Sequence, residues 1–469
     1  ENRHPIPTAL VMTSGNLSEE PIAYKNLNAV EQLGNLADAF LFHNRDIHMR
    51  TDDSVVRLGI GTKKHSKDKS SNLDSIYFIR RSRGYAPKSI SLPFNAKQVL
   101  AVGPELKNTF CLLNDQYAFI SHHIGDMENY ETLKSFEEGI DHFEKLFRIK
   151  PEVLACDLHP NYLSSRYALK RAEETGVTLI KIQHHHAHIA SCMADNGLSG
   201  DRPVLGISFD GTGLGTDEAI WGGEFLISDY FSFKRFAHLE YSPIPGGDSA
   251  TKNPYRLALA QLWHHKLDWD DDLSPAQMAC SDELAMIRSM LEKNINTPLT
   301  SSIGRLFDSV SSLIGVRNQI NYEAQAAIEL EAIVDGDEHG SYPFELRKPI
   351  KQKSSVENET IPILIGTKPL FNALIEDVRA GINKSRLAAK FHNGLAEMTL
   401  EICGYARNLF GINEIALSGG VWQNMVLLKS TYQLLTNNEF VVYIHKNVPS
   451  NDGGLALGQA VIASKNFQR

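Results

Sequence analysis

The sequence predicts an α/β protein in which a small α/β unit precedes two related α/β lobes. The stretch "VLAVGPELKNT" resembles the later stretch "VLGISFDGTGLGT", and each combines an apolar strand, a turn and a further strand. Between them, apolar residues recur every three or four positions from Tyr130 to Phe147, as in a helix that packs one face on a sheet. Two lobes of this kind enclose a cleft, and glycine turns at strand ends are where a ligand binds.

The elements divide the chain into three parts. Residues 1–92 alternate short β-rich runs ("TALVMTS", "AFLFH", "SVVRLG", "SIYFIRR") with one helix near "YKNLNAVEQLG". Within this part "GTKKHSKDKSSN" is interpreted as a surface loop, and "APKSISLPFNAK" as a linker. The first lobe then covers 93–202, with turns at "GPELKN" and "ND", and the second covers 203–469, with helices over 250–345.

Composition excludes several classes of protein. A net charge of −9 over 469 residues offers no general attraction to nucleic acid or to an anionic membrane. No apolar run approaches the roughly 18 residues of a membrane-spanning helix. The five cysteines form no C-x-x-C pair, which favours reduced thiols in the cytoplasm.

The stretch "QHHHAHIASCMADNG" places four histidines within five positions. On a helix that ends near Asn196, His184 and His188 share one face, which is the spacing by which two imidazoles reach one metal ion. His185 is expected to be partly buried and His186 to be exposed. A polar helix face without metal is the alternative, and further ligands must come from elsewhere in the chain.

Two aspartates that follow apolar strands are candidates for those ligands. Asp210 lies in "FDGTGLG" and Asp452 in "SNDGGLALG", and two histidines with two carboxylates suit iron, zinc or manganese. Ordinary Asp-Gly turns are the alternative. The glycines also suit a nucleotide, because their free N–H groups can surround phosphate oxygens, and "LSGGVWQN" repeats this chemistry at a strand-to-helix junction.

The same stretches resemble the HypF family, the carbamoyltransferases of NiFe-hydrogenase maturation. The resemblance runs along essentially the whole chain through "TSGNLSEEPI", "NRDIHMRTDDSVVR", "RRSRGYAP", "GPELKNTFCL", "DLHPNYLSSRYA", "QHHHAHIAS", "FDGTGLGTDEAIWGGEFL", "PGGDSATKNPYR", "LSGGVWQN" and "SNDGGLALG". It implies part of a YrdC-like adenylate-forming domain, followed by a two-lobed actin-like domain of the ribonuclease H-like class. Family members make carbamoyl-adenylate from carbamoyl phosphate and ATP, and pass its carbamoyl group to the C-terminal cysteine of HypE.

The resemblance assigns roles to individual residues of this chain. It implies a divalent metal (Fe, Zn, Mn or Mg) on His184, His188, Asp210 and Asp452, and it makes Lys107 and Asp210 the catalytic candidates. The residues that it implies for nucleotide or phosphate binding are Ser14, Asn16 and Arg81 in the YrdC-like part, and Gly211, Thr212, Gly213, Glu323, Gly419, Gly420 and Asn424 in the two-lobed part.

The resemblance also has limits. Family members carry an acylphosphatase-like domain, paired C-x-x-C zinc motifs and the first half of the YrdC-like domain, none of which occurs in this sequence, so structural zinc is expected only upstream. We therefore expect the chain to correspond to the C-terminal portion of such a protein. The alternatives are an O-carbamoyltransferase of a small molecule, an actin-like ATPase or kinase, and a non-catalytic module that docks HypE.

Overall fold

A computed structural model describes residues 9–10, 12–17, 20–58, 76–348 and 361–467 of the chain. The strands are Val55–Leu58 (β1), Ile76–Arg80 (β2), Ile90–Ala101 (β3), Cys111–Ile120 (β4), Val153–Asp157 (β5), Thr178–Ile182 (β6), Val204–Phe209 (β7), Gly223–Ser228 (β8), Phe233–Leu239 (β9), Ser242–Pro243 (β10), Leu299–Thr300 (β11), Glu345–Arg347 (β12), Ile363–Gly366 (β13), Glu414–Ser418 (β14) and Val441–Tyr443 (β15). The helices are Asn26–Leu33 (α1), Tyr130–Phe147 (α2), Leu163–Thr175 (α3), His184–Asp195 (α4), Asp248–Thr251 (α5), Pro254–His264 (α6), Ser274–Met278 (α7), Ser281–Lys293 (α8), Ile303–Leu313 (α9), Gln325–Ala332 (α10), Lys368–Arg379 (α11), Lys384–Phe410 (α12), Met425–Asn437 (α13) and Leu455–Phe467 (α14).

The first lobe is built on a four-stranded sheet in the order β4-β3-β5-β6. Strands β3 and β4 pair antiparallel, whereas β5 and β6 add in parallel. The predicted helix α2 covers one face of the sheet, with Phe136, Ile140 and Phe143 buried, and the side chain of Asn129 caps its first turn. The apolar stripe in the sequence therefore marks the face that packs on the sheet.

The second lobe repeats this arrangement within a larger sheet. Its seven strands run in the order β12-β13-β9-β8-β7-β14-β15. The run β8-β7-β14-β15 has the same sequence of directions as β4-β3-β5-β6, with one antiparallel pair followed by two parallel additions. The predicted duplication and the α/β class with two lobes are confirmed by this shared topology.

Helices α4 and α14 pack together in a core that they share with strands of both sheets. A Cβ on Gly458 would lie 1.8 Å from the carbonyl oxygen of Ala187, so only glycine permits this close crossing. Nearby, the hydroxyl of Ser191 donates to the carbonyl of Gly454 at 2.7 Å. The crossing places the turn before α14 directly beside the histidine helix.

Several local expectations were wrong. The stretch interpreted as a linker contains most of β3, which starts at Ile90. The turn predicted at "ND" is a bulge within β4, where Asp115 has a φ of 51° and residues on both sides of it still pair with β3. The described residues of "TALVMTS" and "AFLFH" are not in strands.

The remaining N-terminal part is small. Its strands β1 and β2 pair antiparallel, and the predicted helix is present as α1, which buries none of its residues. The loop predicted at 61–72 lies outside the described residues. Among the described residues, no helix combines the length and the apolar character that crossing a membrane requires.

Candidate metal and nucleotide site

The four predicted metal ligands come from three elements that meet between the lobes. His184 and His188 lie in the first two turns of α4, whose start is capped by the side chain of Gln183. Asp210 follows the last residue of β7, and Asp452 opens a 3-10 turn that leads into α14. The chain therefore brings together two side chains from one helix and one from each of two turns.

One potential ligand atom from each of the four residues lies within 4.8 Å of the others. The Nε2 atom of His188 lies 2.8 Å from Oδ2 of Asp210 and 3.4 Å from Oδ1 of Asp452. The Nε2 atom of His184 lies 3.6 Å and 3.5 Å from the same two oxygens. Ligands bound tetrahedrally at zinc distances of about 2.0–2.2 Å would be separated by roughly 3.3–3.6 Å, so the spacing suits one small cation.

Burial and charge support the same conclusion. The Nε2 atoms of His184 and His188 and Oδ2 of Asp210 are buried, and apart from the contacts within the cluster they have no hydrogen-bond partner among the residues that the structure describes. Burial alone would raise the pKa of Asp210, but the imidazoles of His188 and His184 hold that pKa well below its usual value. Buried polar atoms left unpaired are costly, and nitrogen and carboxylate donors are those that zinc and iron accept. The residues therefore fit a divalent metal.

Asp157, which the sequence analysis did not identify, holds the first of these histidines. It ends β5, and its Oδ2 lies 2.8 Å from Nδ1 of His184, with both side chains buried. Its Oδ1 accepts the backbone N–H of His159 at 2.9 Å. A carboxylate at Nδ1 selects the tautomer that leaves Nε2 free to bind a metal. The available sequence signal was an aspartate at the end of a buried strand, as for Asp210.

Asp210 also connects the cluster to the glycine turns. Its Oδ1 accepts the backbone N–H groups of Gly211 at 2.8 Å and Gly420 at 3.2 Å. Gly419 has a φ of 105°, and a Cβ there would lie 2.2 Å from the carbonyl oxygen of Phe209. A Cβ on Gly213 would lie 2.5 Å from the ring of His185. The glycine turns therefore lie against the histidine helix and share a carboxylate with the metal cluster.

Lys107 and Glu323 form an ion pair despite a separation of 216 positions in sequence. The backbone of Lys107 is fixed by its N–H, which donates to Asp126 at 2.7 Å. Burial would lower the pKa of Lys107, but Glu323 and Asp452 raise it, so the ammonium group remains charged at neutral pH. A fixed positive charge therefore faces the carboxylates of the cluster.

The other predicted ligand-binding residues have partners within the protein. Asn424 caps α13 through Oδ1, and its Nδ2 lies 2.8 Å from Nε2 of His392. The guanidinium of Arg81 is buried and donates to three backbone carbonyls. Ser14 donates to Asn16 in an exposed turn, so these side chains contact one another rather than the cluster. Thr212 is exposed beside the glycines.

Two residues of α9 near the glycine turn were also missed. A Cβ on Gly211 would lie 3.5 Å from Nη2 of Arg305, whose Nη1 lies 3.0 Å from Asp308. Burial raises the pKa of Asp308 to about 6, although Arg305 opposes the shift. The Oδ2 atom of Asp308 is the one that pairs with Arg305, and it has no other partner within the described part of the chain. No short motif marks this pair in the sequence.

The expectation that His186 is exposed was wrong. Its side chain is buried, and its Nε2 lies 2.7 Å from the carbonyl oxygen of Asp229. His185, which was expected to be partly buried, is fully buried. The whole of α4 is enclosed, and helical periodicity alone does not reveal an element that is covered on every side.

A second group of possible ligands contains Glu240, His264 and His265. Here the carboxylate is already occupied, because Glu240 accepts the N–H of Thr367 at 2.7 Å and pairs with Arg347. The four-residue cluster is therefore the stronger candidate for a metal.

Comparison with known families agrees with this geometry. Residues 206–459 match the family model described as the second subdomain of the carbamoyltransferase Kae1-like domain, and residues 94–195 match the HypF Kae1-like domain. Residues 3–66 match the Sua5/YciO/YrdC family, described as telomere recombination. The chain belongs to the HypF family of carbamoyltransferases. The expected combination of a YrdC-like part and a two-lobed Kae1-like part is thus confirmed.

Comparison with individual HypF proteins shows what share of their length this chain matches. It is 36% identical to carbamoyltransferase HypF2 of Cupriavidus necator over 98% of this chain and 56% of that protein. A shorter HypF homolog from the same organism is 35% identical, with 78% of this chain and 91% of that protein covered. The crystal structure of full-length HypF in its phosphate- and nucleotide-bound form has a TM-score of 0.87 and 41% identity, covering 97% of this chain and 67% of that one. The chain thus spans about half the length of the longer relative.

Proposed function

We propose that this chain transfers a carbamoyl group from carbamoyl-adenylate to a cysteine thiol of a partner protein. The observation that carries the proposal is the carboxylate of Asp210. One of its oxygens faces the two histidines of the metal cluster, and the other accepts N–H groups of both glycine turns. A metal and a phosphate bound there would be direct neighbours, which transfer from an acyl-phosphate anhydride requires.

The proposed domain organisation follows the three parts of the sequence. We propose a YrdC-like part over 1–92 and transferase lobes over 93–202 and 203–469. In the complete protein the YrdC-like domain would form the adenylate from carbamoyl phosphate and ATP, with Ser14 and Asn16 near its phosphates. Arg81 would support that part from within, since its buried guanidinium donates to three backbone carbonyls. The full-length HypF that this chain resembles was crystallised with phosphate and nucleotide bound, which supports nucleotide binding here.

The transfer step exchanges one bond for another. The thiolate sulfur of the partner, in HypF proteins the C-terminal cysteine of HypE, attacks the carbamoyl carbon and forms a C–S bond. The bond between that carbon and the phosphate oxygen breaks, and AMP leaves with the electron pair. The thiol proton passes to solvent when the thiolate forms. No nucleophile from this chain is needed, which agrees with burial of four of its five free cysteines.

The residues of this chain bind and orient the adenylate. The turns that carry Gly211, Gly213, Gly419 and Gly420 suit a phosphate because their glycines have no side chain that would obstruct it. The N–H groups of Gly211 and Gly420 donate to Asp210 and that of Gly419 to Ser450, which fixes the shape of both turns. Asn424 positions the second turn by capping α13. The charged ammonium of Lys107 would attract the phosphate, while Glu323 holds that ammonium across the cleft. Lys107 and Asp210 are thus the proposed catalytic residues.

The proposed metal ligands are His184, His188, Asp210 and Asp452. A divalent metal at this position would act as a Lewis acid that offsets phosphate charge. Asp157 would keep His184 in the binding tautomer. The buried free thiols also fit a reducing compartment, and we propose a cytoplasmic location.

A direct test supplies the purified chain with preformed carbamoyl-adenylate and with HypE. Intact mass spectrometry should show one added carbamoyl group on HypE, and a HypE variant whose C-terminal cysteine is serine should show none. Gly420→Val should abolish transfer, since a Cβ at this position would already lie 3.1 Å from Oδ1 of Asp210. Equal modification of HypE with and without this chain would refute the proposal.

A further inference from the structure

The two strands of the YrdC-like part, β1 and β2, form a ribbon that lies against the transferase site. This ribbon contacts the turn at residues 418–424, which carries Gly419 and Gly420, and the turn at residues 450–454, which carries Asp452. The two turns also bond to each other, since the N–H of Gly419 donates to the carbonyl of Ser450 at 2.9 Å. Any displacement of the ribbon therefore acts on both turns.

The first contact is made by Tyr77 of β2. Its side chain is 3% exposed and belongs to the same apolar core as Trp422. Its hydroxyl donates to the backbone carbonyl of Trp422 at 3.2 Å. This carbonyl lies in the turn at 418–424, two residues after Gly420. A buried hydroxyl from the YrdC-like part thus fixes the backbone of the proposed phosphate-binding turn.

The second contact is made by Arg57 of β1. Its guanidinium donates to the carbonyl of Gln423 at 3.0 Å and forms a two-pronged ion pair with Glu331, both N–O distances being 3.0 Å. The carboxylate of Glu331 also accepts the N–H of Met425, the first residue of α13, at 2.9 Å. Arg57 therefore holds the end of the turn and the start of the helix that follows it.

The third contact reaches the metal cluster. The side chain of Asn451 donates from Nδ2 to the carbonyl of Ile79 in β2 at 3.0 Å. Its Oδ1 accepts the N–H of Gly453, the residue that follows Asp452, at 3.0 Å. The one side chain of Asn451 therefore links β2 to the backbone on either side of Asp452. The ribbon and a proposed metal ligand are thus connected through a single residue.

We propose that the β1–β2 ribbon is a working part of the transferase site. It fixes the position of the metal-binding turn relative to the nucleotide-binding turn. The affinity of the two-lobed part for metal and for nucleotide therefore depends on the YrdC-like part. Tyr77 and Arg57 are positioning residues in this scheme, because they act through backbone carbonyls and Glu331. The inference rests on the proposed function, since it assumes that the two turns bind a metal and a nucleotide.

The test measures binding to the whole chain, using zinc in competition with a chromophoric chelator and ATP in titration calorimetry. Tyr77→Phe and Arg57→Gln should each weaken both ligands by up to about tenfold, the effect of losing one or two hydrogen bonds. Arg57→Lys keeps a donor and a positive charge, and should recover part of the loss. Tyr85→Phe is the matched control, because its ring contacts Phe78 within the YrdC-like part, and it should bind both ligands like wild type.

Circular dichroism ensures that only folded variants are compared. Wild-type affinity for zinc and ATP in folded Tyr77→Phe and Arg57→Gln would overturn the inference and leave the proposed function intact. Equal weakening by Tyr85→Phe would also overturn it, because the effect would then be one of general stability. A wild-type chain that binds neither ligand would overturn the proposed function together with this inference.

Discussion

Replacing Asp157 with asparagine tests how the metal cluster is held together. One carboxylate oxygen accepts the N–H of His159, and the other lies 2.8 Å from Nδ1 of His184. If the amide oxygen of asparagine keeps the bond to His159, its NH2 group faces His184. The imidazole then accepts at Nδ1 and carries its proton on Nε2, where it blocks metal binding. In the opposite orientation the amide oxygen faces His184 and preserves the tautomer of its imidazole. The negative charge of Asp157 is then lost, together with the hydrogen bond from the N–H of His159.

The size of the effect follows from burial. Both side chains are almost inaccessible to solvent, at 1% and 0% exposure. A hydrogen bond to a charged group contributes about 1.5–3 kcal/mol, which corresponds to a change of roughly 10- to 150-fold in an equilibrium constant. Loss of a residue that hydrogen-bonds to a metal ligand usually weakens metal binding by about 10- to 100-fold. We therefore expect Asp157→Asn to weaken zinc binding by one to two orders of magnitude.

The assay is zinc competition against a chromophoric chelator, with circular dichroism to confirm folding. Asp308→Asn is the control, because it also neutralises a fully buried aspartate, but one that pairs with Arg305 outside the cluster. It should bind zinc like wild type. A folded Asp157→Asn variant within twofold of wild-type affinity would show that the orientation of His184 does not depend on this carboxylate.

Three further predictions concern the ligands, the buried acid and the YrdC-like part. His184→Ala and His188→Ala should lose bound metal, measured by atomic emission, whereas His186→Gln should retain it; equal content in all three would contradict the ligand assignment. The pKa of Asp308 is about 6 in the folded chain against 3.8 when unfolded, so its stabilising contribution is complete below about pH 4 and is lost as the pH rises through 6. Asp308→Asn should therefore raise the free energy of unfolding at pH 8 by up to about 3 kcal/mol and leave it unchanged below pH 4, measured by urea denaturation; no gain at pH 8 would contradict the shift. A polypeptide of residues 1–469 should release no pyrophosphate from ATP when given carbamoyl phosphate, since it covers 56% of carbamoyltransferase HypF2 of Cupriavidus necator; carbamoyl-phosphate-dependent release would contradict this.

Sequence patterns predicted those parts of the site that depend on local spacing. His184 and His188 are four residues apart on one helix, and that separation determines their shared face. Asp210 and Asp452 follow from the rule that polar residues after strands and in glycine turns point into a cleft. The same rule made them candidates to complete the histidine site, and the family resemblance implied the full set of four. Their meeting with the histidines depends on how α14 crosses α4, which no local pattern records.

The remaining features depend on tertiary contacts that no local pattern records. Asp157 meets His184 because β5 ends beside the start of α4, a proximity created by the sheet order. His186 is buried because other elements cover α4 on every side. The sequence of the helix shows only which of its residues are polar, and it does not show which of its faces are covered. The bulge at Asp115 resembles a turn in sequence, and only pairing of both flanks with β3 distinguishes the two.

The most direct test of the account is the dependence of carbamoyl transfer on metal. The chain is stripped with a chelator, given preformed carbamoyl-adenylate and HypE, and assayed by intact mass while one divalent metal is added in steps. We expect transfer to be absent without metal, to recover at one equivalent per chain, and to stay absent in Asp452→Asn at that stoichiometry. Undiminished transfer by the stripped chain, or recovery by Asp452→Asn at the same equivalent as wild type, would contradict the account.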